Sequence, residues 1–511
     1  MTINKQDELN QLLLLDTLET ISEEEILDTL CKLIEHSNDI GVRTGTHKAI
    51  ELAKTIDPSI KFKKDRYLFH YYLSLAFSDL RADKHLTDDA WQWDQEDLAN
   101  EIINLRYASL FFNESKHPQS KFLQIHTNLA NLLDNMGRFI PAIANWNKVL
   151  AIQSNFGTAL AAKGHCMLYH ARFTIFDSGH KDIFLRYGHK TLKTALDMPL
   201  EKGAKEYYLA HITPIEKSYP GLLEKEEFKN HNHNYNSPLE KQYRNWALKH
   251  FLFLNPLNDI GDFTFTDYDP LLLPTMTIIK GKGASFHSMF NEIKKQYTTA
   301  RYFLFEGIYN NQNHFSENDV KIYDLLDSSN NSYRMEQVKI SYRLAYSIFD
   351  KIACFLNHYL DLGISDNTVS FRNLWYEDKH GRILKSKFVN RKNLMLRALY
   401  WLSKDIHPRG DFLMQDSIEP EAKELARIRN HIEHKGFKVI SENPFLEGME
   451  EFFPEILKDN FSMEIKESEF IDKAIKVLKL SKEAITYLSL SVYQEEDSEN
   501  DFPSIQLDTK H

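Results

Sequence analysis

Eight consecutive positions, Arg427–His434, hold two arginines, an asparagine and two histidines, and Gly436 comes soon after. At about 100° per residue, a helix through this stretch puts Leu425, Ile428 and Ile432 on one buried stripe. Asn430 and His434, one turn apart, fall roughly opposite that stripe. Arg427 and His431 lie on the outward half as well. Arg429 sits at the stripe's edge, where a long side chain can swing outward. An imidazole that titrates near pH ~6.5 can accept or deliver a proton at neutral pH. A guanidinium offers forked donors to phosphate oxygens. An asparagine can orient either group. The same residues also suit an ordinary solvated helix face, or a helix C-terminus where cations are favoured. A metal site is harder to build: His431 and His434 are spaced H-x-x-H, unlike the H-E-x-x-H pattern that puts two histidines one turn apart.

Two other stretches carry candidate chemistry. Residues 379–397, KHGRILKSKFVNRKNLMLR, hold seven Lys or Arg and no Asp or Glu. Lys385, Lys387, Arg391 and Lys392 in this run could track a phosphate backbone, with Phe388 or His380 as a stacking surface. A solvated loop and helix start is the alternative. Trp375 and Tyr376, just upstream, read as core or interface residues and not as base-stacking ones. His231 and His233 form an H-x-H pair within an asparagine-rich polar stretch, which reads as a solvated linker.

These residues need elements to hold them. The chain has 511 residues, which predicts more than one domain. Its 18 glycines and 15 prolines are few, favouring long helices over turn-rich β structure. A net charge of −11 means that any nucleic-acid contact must be local. Cys31, Cys166 and Cys354 are too widely spaced for a disulfide framework or a zinc motif, and fit a reducing cytoplasm. No signal peptide or membrane span is legible.

Helical periodicity dominates the first 220 residues. Ser22 and Glu25 form a capping box before ILDTLCKLIEH, and residues 45–58 read as the second helix of a hairpin. The clearest unit is residues 123–156. Leu129, Ala130 and Leu133 lie in its first helix, Gly137 and Phe139 at its turn, and Ala142, Trp146 and Val149 in its second helix. This pattern resembles the tetratricopeptide repeat, although Ser154 stands where the family has proline. About four to five irregular repeats are expected over residues 20–215, stacked into a superhelix whose groove would take a protein or peptide. A bridging segment packed between two domains follows, its helix stopping at Asn255-Pro256. Five helical patterns come next, near 285–308, 335–362, 390–405, 417–435 and 466–492. In the second, Ile340, Leu344, Ile348, Ile352, Phe355 and Tyr359 share a stripe. The expected organisation is repeats over 1–220, linker and bridge over 221–283, a bundle over 284–493, and a disordered acidic tail over 494–511.

On this background, Arg429-Asn430, three residues, then His434 resembles the motif of the HEPN family, which lies on a late helix of an α-helical bundle. ISYRLAYSIFDKIACFLN (340–357), LRALYWLSKDI (396–406) and LFLNPLND (252–259) are similar to segments of a bacterial subfamily carrying N-terminal repeats. The fold class expected is all-α, with a tetratricopeptide-like superhelix followed by a HEPN bundle. The resemblance implies a metal-independent endoribonuclease that needs no cofactor and leaves a 2′,3′-cyclic phosphate. It carries the catalytic roles onto Arg429, Asn430 and His434; beside them Arg427, His431 and the basic run are the expected nucleic-acid contacts. It equally covers inactive relatives, so the rival is a non-catalytic adaptor whose repeats bind protein. Family members commonly act as toxins or in defence against phage. One variant is modified on a tyrosine two residues after the histidine; that position here is Gly436, so the same control is not expected. With one site histidine per protomer, a homodimer through the bundle would supply the second copy, and the repeats would be dispensable for it.

Overall fold

The structure is a computed structural model. It describes residues 5–82, 91–174, 176–225, 234–261, 263–278, 284–310, 314–322, 329–378, 383–389, 391–407, 419–441, 461–498 and 505–506. His231, His233, His380 and most of the acidic tail lie outside these residues.

The chain begins with helix α1 (Lys5–Leu12) and then folds into helical hairpins. Helix α2 (Glu23–Ile40) starts where Ser22 accepts from the Glu25 amide and Glu25 accepts in return from the Ser22 amide. It pairs with α3 (Thr44–Ala53), and α4 (Arg66–Ala82) pairs with α5 (Glu96–Phe111). Helix α6 (Gln119–Asn135) pairs with α7 (Phe139–Ile152), and α8 (Gly157–Phe173) with α9 (Ser178–Leu196). Successive hairpins also touch through α5–α6 and α7–α8, so each buries its neighbour's apolar face. In the clearest unit Leu129, Ala130, Leu133, Phe139, Ala142, Trp146 and Val149 are all buried. Helices α10 (Ala204–Ser218) and α11 (Pro238–Lys249) complete this half.

Helix α11 ends at Lys249, six residues before the expected stop at Asn255-Pro256. Phe251 takes a left-handed φ of 57° there, and Pro256 instead opens a short 3₁₀ turn capped by Asn255. The apolar run beyond Lys249 needs no helix, because tertiary contacts satisfy its backbone. Tyr297 Oη donates to the Leu252 carbonyl at 2.7 Å and Lys482 to the Phe251 carbonyl at 2.8 Å. The segment wedges between repeats and bundle: Asn147 and Lys163 donate to the carbonyls of Asp259 and Ile260, while Lys482 holds the Asp259 carboxylate.

The bundle comprises α12 (Ser285–Tyr309), α13 (Tyr333–Tyr359), α14 (Leu394–Ile406), α15 (Ala422–His434) and α16 (Glu467–Ser498). Helices α12 and α13 form a long hairpin; α16 packs on α12, α13 and α14. Helix α16 continues into the stretch expected to be a tail. Its last turns are held by contacts that local composition cannot show, such as Glu495 with Arg391 and Glu496 with Tyr359. On α13 the expected stripe holds at Ile348, Ile352 and Phe355, but Ile340 is 36% exposed. Tyr342, Tyr346 and Phe349 are buried as well, because several elements surround the helix.

The apolar interior divides differently from the sequence. Leu9, Leu30, Leu52 and Phe69 belong to a small N-terminal core. The main core runs without interruption from Tyr67 to Val492 and joins repeats and bundle. Gly137 marks the junction. Its φ is +85°, and a Cβ there would stand 2.7 Å from the Leu394 carbonyl oxygen at the start of α14. Only glycine fits both the turn and the close approach.

Candidate active site

Helix α15 lies against α13 and α14. Ala422, Leu425 and Ile428 form its buried stripe, and the Tyr342 hydroxyl donates to the Leu425 carbonyl at 2.8 Å, pinning α15 to α13. On the other side Asn430 and His434 are exposed, as is Arg427; Arg429 and His431 are half-buried. The motif therefore sits on the face that helical geometry assigns to it. Ile432, expected on the stripe, is only partly covered.

The polar residues of the helix have different roles. Arg429 Nη1 donates to Asn430 Oδ1 at 3.2 Å, so the asparagine orients the arginine within one turn. His434 makes no hydrogen bond or ion pair among the described residues, and its ring is open to solvent. His431 is used structurally: its Nδ1 and the Gly436 carbonyl lie 2.9 Å apart, fastening the helix end to the strand beyond it. Glu433 pairs with Arg343 of α13 at 3.0 Å. The charge of Arg429 reaches the buried Tyr346 of α13 and the partly buried His407 at the end of α14. Burial holds the His407 imidazole down at about 4, helped by the charges of Arg372 and Arg429. Neutral His407 and Arg372 were missed by sequence reasoning. A histidine before Pro408 carries no periodic signal, and only the fold exposes it to the charge of Arg429.

The strand after the helix was also unforeseen. Gly436–Ile440 is strand β1, paired in parallel with β2 (Ser462–Lys466), from Gly436 opposite Ser462 to Ile440 opposite Lys466. A Cβ on Gly436 would stand 2.2 Å from Ser462 Oγ, so the position two residues past His434 has no room for a tyrosine.

The basic run is largely spoken for. Lys385 pairs with Glu377 at 3.1 Å, and Lys387 donates to the carbonyls of Leu360 and Asp361. Arg391 makes a two-pronged pair with Glu495, at 2.9 and 2.8 Å. Lys392 is exposed. Phe388 is fully buried and stacks on Trp93 with ring centres 5.3 Å apart, so it offers no face to a base. Local apolar periodicity was too short to show this, since Trp93 is supplied by the repeat half. Trp375 and Tyr376 are core, as expected.

Two groups of described residues could hold a metal: Asp134, Cys166 and His170 in the repeats, and Cys354, His358 and Asp366 after α13. Neither contains a motif residue. Both nitrogens of His170 already face hydrogen-bond partners, Asp134 and Thr174 at 3.0 Å each.

A helical bundle whose late helix presents Arg-Asn-x₃-His outward is the pattern of a HEPN domain. Residues 279–495 match the family model described as LA2681-like HEPN, and the chain carries a domain of that family there. The match spans α12 to α16 and leaves the repeat half unassigned. No curated protein and no solved structure matches the chain. No helix among the described residues is long and apolar enough to cross a membrane.

Proposed function

We propose that the protein is a metal-independent endoribonuclease whose site is built from Arg429, Asn430 and His434, working as a homodimer. The observation that carries this reading is His434: a solvent-open imidazole with no partner among the described residues, one turn from an asparagine that orients an arginine. In the reaction the RNA 2′-oxygen attacks the adjacent phosphorus, the P–O5′ bond breaks, and a 2′,3′-cyclic phosphate remains. One proton leaves the 2′-hydroxyl and one reaches the 5′-oxygen. His434 supplies one of these transfers and its copy across a two-fold axis the other. Arg429 stabilises charge on the phosphoryl oxygens. Arg427 and Lys392 are exposed cations, without an ion pair among the described residues, that can meet RNA. Family resemblance suggests a toxin or anti-phage role, with the repeats sensing or docking a protein partner. The test is incubation of the purified protein with mixed RNAs in the presence of chelator, with His434→Ala as the control. Loss of cleavage in the variant supports the reading, and equal cleavage by both ends it.

A second reading is favoured by one observation. Lys385, Lys387 and Arg391 are engaged by Glu377, by the carbonyls of Leu360 and Asp361, and by Glu495, which draws three of the four cations singled out in the basic run into contacts within the protein. In that case the domain is a non-catalytic adaptor, and RNA remains uncut by either protein.

A further inference from the structure

A cavity of about 760 Å³ lies between the repeats and the bundle. Helices α5, α6 and α7 contribute to one side, and α16 with residues 419–421, just before α15, to the other. The volume falls within the range of small-molecule sites. Leu129, Leu133, Ile140, Ala144 and Phe251 provide apolar lining.

Most of the charge around it is neutralised internally. Arg138 pairs with Asp405 and Glu483, Arg106 with Asp405 and Glu419, Lys482 with Asp259, and Lys476 with Glu419 and Glu421. Two cations remain. Lys148 of α7 and Lys479 of α16 line the cavity, are reached by solvent, and make no ion pair or hydrogen bond among the described residues. Close protein walls first, and then the repulsion of neighbouring ammonium groups, hold both below the ordinary lysine range; Lys476 acts on Lys148, with Glu114 opposing it, and Lys482 and Lys148 act on Lys479, with Asp259 opposing them. Two like charges brought together from opposite sides of one cavity are relieved by an anion between them. A phosphate dianion neutralises both; a single carboxylate neutralises one. The bounded volume, and the carboxylates of Glu419, Glu421 and Glu483 at its edge, disfavour a nucleic-acid chain or an acidic peptide.

We propose that this cavity binds a small phosphorylated molecule with an apolar body, clamped by Lys148 and Lys479, and that its occupancy is transmitted to the motif helix. The route is short. Lys476 holds Glu419 and Glu421 at the entrance to α15, and Lys473 holds Glu421 at 2.6 Å and Glu424 at 2.5 Å. A dianion beside Lys476 competes for that lysine and loosens the N-terminal anchor of the helix that carries Arg429 and His434. The binding half stands apart from the ribonuclease reading; the regulatory meaning rests on it.

The test is calorimetric titration of the full-length protein with AMP and with pyridoxine 5′-phosphate, which lacks an aldehyde that would condense with lysine, using inorganic phosphate as the probe for the charged group alone. At least one organic phosphate should bind more tightly than inorganic phosphate. The Lys148→Gln/Lys479→Gln variant should lose affinity more than tenfold while keeping its melting temperature. No binding of any of the three at millimolar concentration, or binding indifferent to the double substitution, overturns the proposal. Hydrogen exchange of the peptide spanning residues 419–434 should change on binding, and unchanged exchange in a liganded protein overturns the coupling. No readout here uses RNA, so failure of the ribonuclease reading leaves the test intact.

Discussion

Arg138, in the turn between α6 and α7, and Asp405, in the last turn of α14, form a buried ion pair across 267 positions of sequence. The arginine is 2% exposed and the aspartate 1%. Arg138 also grips Glu483 with two bonds, at 2.8 and 3.0 Å, and Arg106 grips Asp405 with two, at 2.6 and 2.9 Å. The network ties repeats and bundle into one cooperative unit. Removing one partner strands a buried charge, at a cost of about 3–5 kcal/mol. Asp405→Asn should therefore lower stability by that order in urea denaturation. The same contacts bear on the expectation that the repeats are dispensable for dimerisation: residues 240–495 expressed alone would bare the core around Leu394 and Phe388, and should aggregate in light scattering.

Catalysis gives a sharper test. His434→Ala should abolish RNA cleavage and leave the melting temperature unchanged, because the side chain touches nothing that holds the fold. Arg429→Ala should lower the rate by roughly 10²-fold or more, as expected for loss of a charge stabiliser. Equal loss from Arg427→Ala would show that the motif had named the wrong arginine.

For RNA contact, the full chain should respond to Arg427→Gln and Lys392→Gln with weaker binding and a shallower salt dependence. Arg391→Gln should instead lower stability, since it removes the two bonds that Arg391 makes to the buried Glu495 carboxylate. If Arg391→Gln flattens the salt slope with no change in melting temperature, the basic run contacts RNA after all.

Acid should destabilise the protein before its carboxylates titrate. Burial holds His70 and His126 down at about 4, against an ordinary value near 6.5. Both are therefore neutral in the folded chain at pH 7, whereas the unfolded chain takes up protons below about 6.5. Their contribution is fully present above that pH and is lost as pH falls towards 4, up to about 3 kcal/mol each. Urea midpoints should decline from pH 7 to pH 5. His126→Gln should make the decline shallower, and a flat profile in the parent protein would contradict the burial argument.

The dimer is best examined by complementation of full-length chains. Light scattering should give twice the chain mass at micromolar concentration. Mixing inactive His434→Ala and Arg429→Ala chains should restore part of the cleavage if one site draws on both copies. A monomer that cleaves RNA would place both proton transfers in one chain and turn attention to His407.

Much of this architecture was legible because it depends on neighbours in sequence. Ser22 with Glu25 marks a helix start through hydrogen bonds three residues apart. The repeat at 123–156 shows through 3–4 spacing. The outward face of Asn430 and His434 follows from helical geometry alone. Where sequence reasoning failed, the deciding partner lay far along the chain. Phe388 was offered as a stacking surface because Trp93, which covers it, lies 295 residues upstream. Arg391 read as free because Glu495 is invisible from residues 379–397. Strand β1 was missed because five residues cannot show a period, and its partner lies beyond position 460.

By itself, then, the sequence determined the helical class, the extents of the main helices to within a few residues, and the motif with the face that presents it. These depend on backbone geometry and apolar spacing, which act over a turn or two. Only the tertiary structure decided that the repeats and the bundle share one core, that Lys385, Lys387 and Arg391 of the basic run find partners within the protein, and that Arg429 acts on His407. It alone formed the cavity into which Lys148 and Lys479 project with no ion pair among the described residues. Burial, charge pairing and cavity shape depend on which distant surfaces meet, and no local pattern carries that information.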